Sequence, residues 1–230
     1  MLMDKSQTFS PPPAKLRAMG VLADAKAATR RELEEKSTLK IFEIGAEVWK
    51  DGDTHIAVIQ SGRCKLQVMV ETGQAMTLEF LNGGAIVGLI ENTAEQRIAT
   101  VYVATSILSA VIMPIAAIRS SLKLDADFRT ALDRQTSSQN IKLRKRLFEM
   151  ATLPLQSRLA SYLIEECEYT QGVSQISNPP THEELASLLG ANREAITRAL
   201  RALEKLGLIT YSRQTIKVLG VAQLQSMQSQ

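Results

Sequence analysis

The chain has 230 residues, with 27 Lys and Arg against 24 Asp and Glu and a formal charge of +3. A hydrophobic fraction of 45% argues against a disordered chain, and so small a basic excess does not by itself announce nucleic-acid binding. No apolar run approaches the roughly 20 residues that a membrane span requires, and the opening "MLMDKSQTFSPPPAKLR" has no secretory core, so a cytoplasmic protein with no membrane partner is expected.

Residues 1–20, with Pro11–Pro13, read as a loose tail. Residues 14–37 carry a helical pattern anchored by Leu16, Met19, Leu22 and Leu33. The texture changes at Leu39. Short β-favouring runs such as "LKIFEI", "HIAVIQ", "CKLQVMV", "AMTLEFL" and "ATVYVAT" recur as far as Ile112, punctuated by "KDGD", "SGR", "TGQ" and "NGG". Closely spaced short strands with Gly turns predict an antiparallel sandwich or barrel over 21–123. A metal-dependent enzyme on such a barrel would need several converging His and carboxylate ligands. Only His55 falls in this region, so no catalytic residue, metal or cofactor is expected. Cys64 and Cys167 lie far apart and form no CxxC, and they read as reduced thiols.

A long helix is predicted over 124–152. Phe128, Leu132, Gln135, Gln139, Leu143, Leu147 and Met150 advance by three or four, as a dimer seam with a polar interruption would. The basic run Lys142–Arg146 on this helix reads as a solvated face, with DNA backbone or a dimer partner as the alternatives.

Pro154 breaks the chain, and a third region, 153–230, follows. "LQSRLASYLIEECEY" is amphipathic. A polar loop with Gly172 and Pro179–Pro180 leads to "THEELASLLGANREAITRALRALEKLGLIT". Thr181 precedes Glu184 by three residues, the spacing of a capping box. Leu185, Leu188 and Leu189 form one apolar face, Gly190 permits a left-handed turn, and Asn192 can cap the next helix. Ile196, Ala199, Leu200 and Leu203 then face inward. The whole is helix-turn-helix spacing, and "GLITYSRQTIKVL" supplies two strands about Ser212–Gln214, a wing. His182, in the first turn, is expected to be solvated.

Arg193, Glu194, Thr197 and Arg198 fall on the other face of the second helix. Arg grips guanine O6 and N7 with two hydrogen bonds, and Glu accepts from cytosine N4. A face built only for phosphate would avoid a carboxylate. Arg193, Glu194 and Arg198 are therefore the expected base readers, with Thr181, Asn192, Thr197 and Arg213 in backbone-contacting or supporting roles. The bland alternative is a surface ion pair between Glu194 and Arg198.

Taken together, the β-roll, long helix and winged helix-turn-helix resemble the CRP/FNR family of bacterial transcription regulators. The carriers are "IFEIGAEVWKDGDTHIAVIQSGRCKLQV", with Gly45, Gly52, Asp53 and Gly62 at the family's turn positions, and "THEELASLLGANREAITRALRALEKLGLI". The resemblance implies an α+β chain whose first domain is a cyclic-nucleotide-binding-like jelly roll. It implies a homodimer on double-stranded DNA, reading a palindrome with half-sites like TGTGA; RNA polymerase is the further partner expected. Members that bind cyclic AMP hold it with a Gly-Glu pair and an Arg-Ser or Arg-Thr pair. Here Ala85-Ile86 and Arg97-Ile98 stand in those places, so cyclic AMP is not expected, and Arg97 is the remaining candidate for an effector anion. The readings left open are a constitutive regulator, one answering an unidentified anionic effector, or one answering a haem-type effector through His55 or Cys64.

Overall fold

The computed structural model describes residues 6–9, 20–69, 75–89, 99–170 and 172–228. The chain divides into two compact units, 1–140 and 141–230.

Among its described residues the first unit has the strands β1 (Ser6–Phe9), β2 (Thr38–Phe42), β3 (Glu47–Lys50), β4 (His55–Ser61), β5 (Cys64–Met69), β6 (Ala75–Leu81), β7 (Ile86–Val87), β8 (Thr100–Ala104) and β9 (Leu108–Pro114). They form two antiparallel sheets, in the orders β1-β2-β9-β4-β7 and β3-β8-β5-β6. Strand β4 shows why the roll holds together. Ile56, Ala57, Val58 and Ile59 are all buried, yet they serve two cores, because successive side chains point to opposite faces. Ala57 and Ile59 join Phe42, Trp49, Cys64, Tyr102 and Leu108 in one core, which draws on both sheets. Ile56 and Val58 point the other way, into a second core with Leu33, Val111, Ile118, Phe128 and Leu132.

That second core is covered by helices. A 3-10 turn, Gly20–Ala23, precedes α1 (Ala27–Glu35), and α2 (Ile115–Leu124) follows β9. The first turns of α3 (Ala126–Thr152) contribute Phe128, Ala131 and Leu132. Gly88 has a φ of +82°, and a Cβ there would collide with the Trp49 ring. The bare backbone lets the indole lie against it, with Nε1–H donating to the His55 carbonyl at 2.8 Å.

Three expectations need correction in this unit. Phe128 and Leu132, read as dimer-seam positions, are buried in the second core instead. Ser6–Phe9, read as tail, pairs antiparallel with β2, Gln7 opposite Ile41. Residues 115–124 form a helix of their own before the long one. The break is at Asp125, a fully buried carboxylate that accepts from the backbone N–H of Asp127 at 3.1 Å and Phe128 at 3.0 Å. This caps the first turn of α3.

The second unit contains the rest of α3, then α4 (Leu155–Glu166), β10 (Glu168–Thr170), β11 (Val173–Ser177), α5 (His182–Leu189), α6 (Arg193–Lys205), β12 (Ile209–Tyr211), β13 (Thr215–Val218) and α7 (Val221–Met227). Leu159, Leu163, Leu185, Ile196, Leu203 and Leu224 are completely or almost completely buried. The polar stretch read as a loop before Thr181 is a hairpin, β10-β11, and β11 pairs with β13 to give a sheet in the order β10-β11-β13-β12. Its alternation is weak, since only Ile176 of β11 is buried. Among the described residues no helix is long and apolar enough to cross a membrane.

Candidate nucleic-acid interface

The helix-turn-helix is assembled by local hydrogen bonds. Thr181 Oγ1 accepts from the Glu184 backbone N–H at 3.2 Å, and Glu184 Oε2 accepts from the Thr181 N–H at 2.9 Å. Both halves of the capping box are thus present. The box commits Thr181 to ordering α5. At the other end Gly190 adopts φ 61°, ψ 48°, a conformation that costs an L-residue about 1–2 kcal/mol. The Ala191 N–H donates to the Ala186 carbonyl at 2.9 Å and closes the corner. Asn192 Oδ1 then accepts from the Ala195 N–H at 2.8 Å and starts α6.

α6 is strongly two-sided. Ile196, Ala199, Leu200 and Leu203 are buried, while Arg193, Glu194 and Arg198 are exposed. Among the described residues no ion pair joins Glu194 to Arg198, so the surface-pair alternative finds no support in the geometry. All three side chains face solvent, and among the described residues none is engaged in an ion pair or side-chain hydrogen bond.

The wing lies beside this surface. β12 and β13 pair with Tyr211 opposite Ile216. Ser212 shapes the tip, its Oγ accepting from the backbone N–H of Gln214 at 3.3 Å and Thr215 at 3.1 Å. Arg213 is exposed at that tip. Between wing, α5 and α6 lies a groove of about 560 Å³, lined among others by Pro180, His182, Arg193, Tyr211, Ser212 and Arg213.

His182 departs from expectation. It is half-buried rather than solvated, its ring sits 5.9 Å from that of Tyr211, and its Nδ1 lies 2.9 Å from Thr197 Oγ1. Burial, and then the charges of Arg193 and Arg201, push its pKa down from the ordinary 6.5. The sequence signal for this was slight: helical spacing leaves the first residue of α5 facing outward, and only the return of the chain through α6 and the wing covers it.

The remaining candidates separate. In the basic run, Lys145 is committed to Glu165 on α4 and lies 3.7 Å from Glu149, while Lys142 and Arg144 are exposed. Cys64 is fully buried, and burial, with a smaller contribution from Glu79, pushes its thiol up to about 12. A thiol so protonated and enclosed is a poor sensor. The carbonyl of His55 is taken by Trp49, and its Nε2 lies 3.9 Å from Asp53. Arg97 and Ile98 lie outside the described residues. Among the described residues no three His, Cys, Asp or Glu side chains gather as a metal site.

Capped helices, a tight corner, a solvent-facing Arg-Glu-Arg surface and a wing define a DNA-binding regulator of the winged helix-turn-helix class. Residues 157–227 match the model of the Crp-like helix-turn-helix domain. The chain is 22% identical over 169 residues to the cAMP-activated global transcriptional regulator Vfr of Pseudomonas aeruginosa, covering 70% of this chain and 79% of Vfr. It is 22% identical over 189 residues to the global nitrogen regulator of Synechocystis, covering 78% and 84% respectively. Among solved structures, a crp/fnr-family transcriptional regulator from Eubacterium rectale superposes with a TM-score of 0.69 at 21% identity, covering 91% of this chain and 98% of its own. FixK2 from Bradyrhizobium japonicum superposes with a TM-score of 0.73 at 14% identity, covering 83% and 96%. Residues 157–227 are thus a Crp-like helix-turn-helix domain, and over most of its length the chain is similar to transcription regulators.

Proposed function

We propose that this regulator acts in the cytoplasm as a homodimer on a DNA palindrome with TGTGA-like half-sites, read by Arg193, Glu194 and Arg198. The observation that carries the reading is the uncommitted Arg-Glu-Arg surface at the start of α6, backed by a buried apolar face that fixes the helix in place. Arginine forks suit guanine, and a carboxylate between them suits cytosine N4. Asn192 and Thr181 hold the two helices that present this surface, Thr197 supports it, and Arg213 contacts the DNA backbone from the wing. Dimerisation is supported by Ile141, Leu147 and Phe148 on α3, which are 67%, 66% and 64% exposed. Leaving such side chains in water is unfavourable, and their spacing suits a helix–helix seam. RNA polymerase is the protein partner of the DNA-bound dimer.

Cyclic AMP is not the effector in this reading, although Vfr is named as cAMP-activated. Ile86 stands where cyclic-AMP binders place a ribose-holding residue. It is buried in one apolar core with Val58 and Val111, and it offers no hydrogen bond. Arg97 is the proposed contact for any anionic effector. A constitutive regulator is the second reading, favoured by Ile86 and Leu89, which fill that part of the roll with apolar side chains.

Selection of binding sites from random duplexes, with and without cyclic nucleotides, tests both. The expected product is a two-fold symmetric site with half-sites about one helical turn apart, unchanged by cyclic AMP. Selection that enriches no sequence would refute the DNA assignment. Enrichment dependent on cyclic AMP would overturn the effector statement and leave the DNA reading standing.

A further inference from the structure

His182 opens α5 and touches α6 from the outside. The Thr197 hydroxyl has one hydrogen, which it donates to the Arg193 carbonyl at 2.9 Å. Its oxygen can then only accept from His182, 2.9 Å away. Nδ1 therefore carries a hydrogen in every protonation state compatible with this network. In a neutral ring Nε2 is a bare acceptor, and among the described residues it has no partner.

The ring borders the groove between α5, α6 and the wing. The charged and titratable groups around it are Glu183 on α5, Arg193 and Arg201 on α6, and Tyr211 and Arg213 on the wing. Glu184 is occupied with Thr181. The balance is cationic, so the groove favours an anion, which would meet Arg193, Arg213 and the imidazole.

Resting on the DNA reading above, we propose that His182 is a positioning residue that takes up a proton when the DNA backbone enters this groove. The imidazolium keeps its Nδ1–H on Thr197 and donates Nε2–H to a phosphate oxygen. It thereby ties one strand of the duplex to the first turn of the recognition helix, through the Thr197–Arg193 link. The phosphate charge offsets the burial and the neighbouring cations that disfavour the charged ring in the free protein, and the proton comes from solvent. Because the complex then holds more protons than its separated parts, affinity is highest in mild acid. It declines as pH rises from the free-ring pKa through that of the bound ring.

The test measures affinity for a selected duplex at constant ionic strength, from about pH 5.5 to about pH 8. The wild-type chain should lose at least about threefold in affinity across this range, and one proton per subunit sets a ceiling of about a hundredfold per pH unit for the dimer. His182→Gln keeps an N–H for Thr197 but does not titrate, so its profile should be flat. A second measurement needs no variant. The chain has two histidines, so the His182 ring can be followed by NMR, and its pKa should rise on adding duplex. A wild-type chain that binds its duplex with no pH slope, a Gln variant with the wild-type slope, or a His182 ring unmoved by DNA each sinks this inference and leaves the DNA reading intact. A chain that prefers no sequence at any pH sinks the DNA reading and this inference with it.

Discussion

The backbone N–H of Lys26 donates to the carboxylate of Asp125 at 2.7 Å, across 99 positions of sequence. Lys26 begins α1, and Asp125 separates α2 from α3. One fully buried side chain therefore serves the starts of two helices, with Thr29 adding a further hydrogen bond. Burial opposes its charge, but the N–H groups of Phe128 and Lys26 and the Thr29 hydroxyl outweigh it and hold the pKa at about 2.

This predicts acid sensitivity in the first unit. The folded-state pKa lies below the ordinary 3.8, so the stabilisation is complete above about pH 4 and is lost as pH falls toward about pH 2. Asp125→Ala should cost about 1–3 kcal/mol at neutral pH by urea denaturation, from the lost cap and the unsatisfied Lys26 N–H. The variant should also show a shallower stability loss between about pH 4 and about pH 2 than the wild type. An unchanged acid profile would mean that other groups set it.

Gly190 tests the corner of the helix-turn-helix. Its left-handed backbone, and the Met150 side chain lying where a Cβ would go, make Gly190→Ala destabilising by about 1–2 kcal/mol. Gly190→Asn should be milder, since Asn visits that conformation more readily. Melting curves of the two variants, compared with each other, check the ordering.

The proposed base readers should separate in binding assays. Arg193→Ala is expected to weaken specific binding by about 1–3 kcal/mol and relax one base position. Glu194→Ala should change base preference while leaving affinity for random duplex near wild type. Equal losses on specific and random DNA would show that this surface contacts backbone only.

The exposed apolar residues of α3 predict the oligomeric state. Replacing Leu147 and Phe148 together by Lys should convert a dimer to a monomer in sedimentation, and half-site affinity should outlast palindrome affinity. A wild-type chain that sediments as a monomer at micromolar concentration would refute the seam.

Thiol chemistry should divide the two cysteines. Cys64, enclosed and held protonated to about 12, is expected to react with a thiol reagent only on unfolding, whereas Cys167, half-buried, should react with the native chain. Fast native labelling of Cys64 would reopen a redox role for the roll.

What could be read from the order of residues was whatever depends on near neighbours. The capping box of Thr181 and Glu184, the Gly190 corner, the Asn192 cap and the inward Ile196 and Leu200 are settled within a few positions, so their pattern states the geometry. Short strands with Gly turns announced the roll for the same reason. The long helix was legible by period, but its break at Asp125 was not. That residue caps α3 through its near neighbours Asp127 and Phe128, but its burial and its second bond, to the Lys26 N–H, depend on α1 packing beside it. The pairing of Ser6–Phe9 with β2 and of β11 with β13 escaped notice because edge strands with weak alternation carry no signal until a partner supplies the ladder. His182 is the sharpest case. Helical spacing turned it outward, and only the packing of α5 against α6 and the wing gave its ring a hydroxyl to hold and a groove to face.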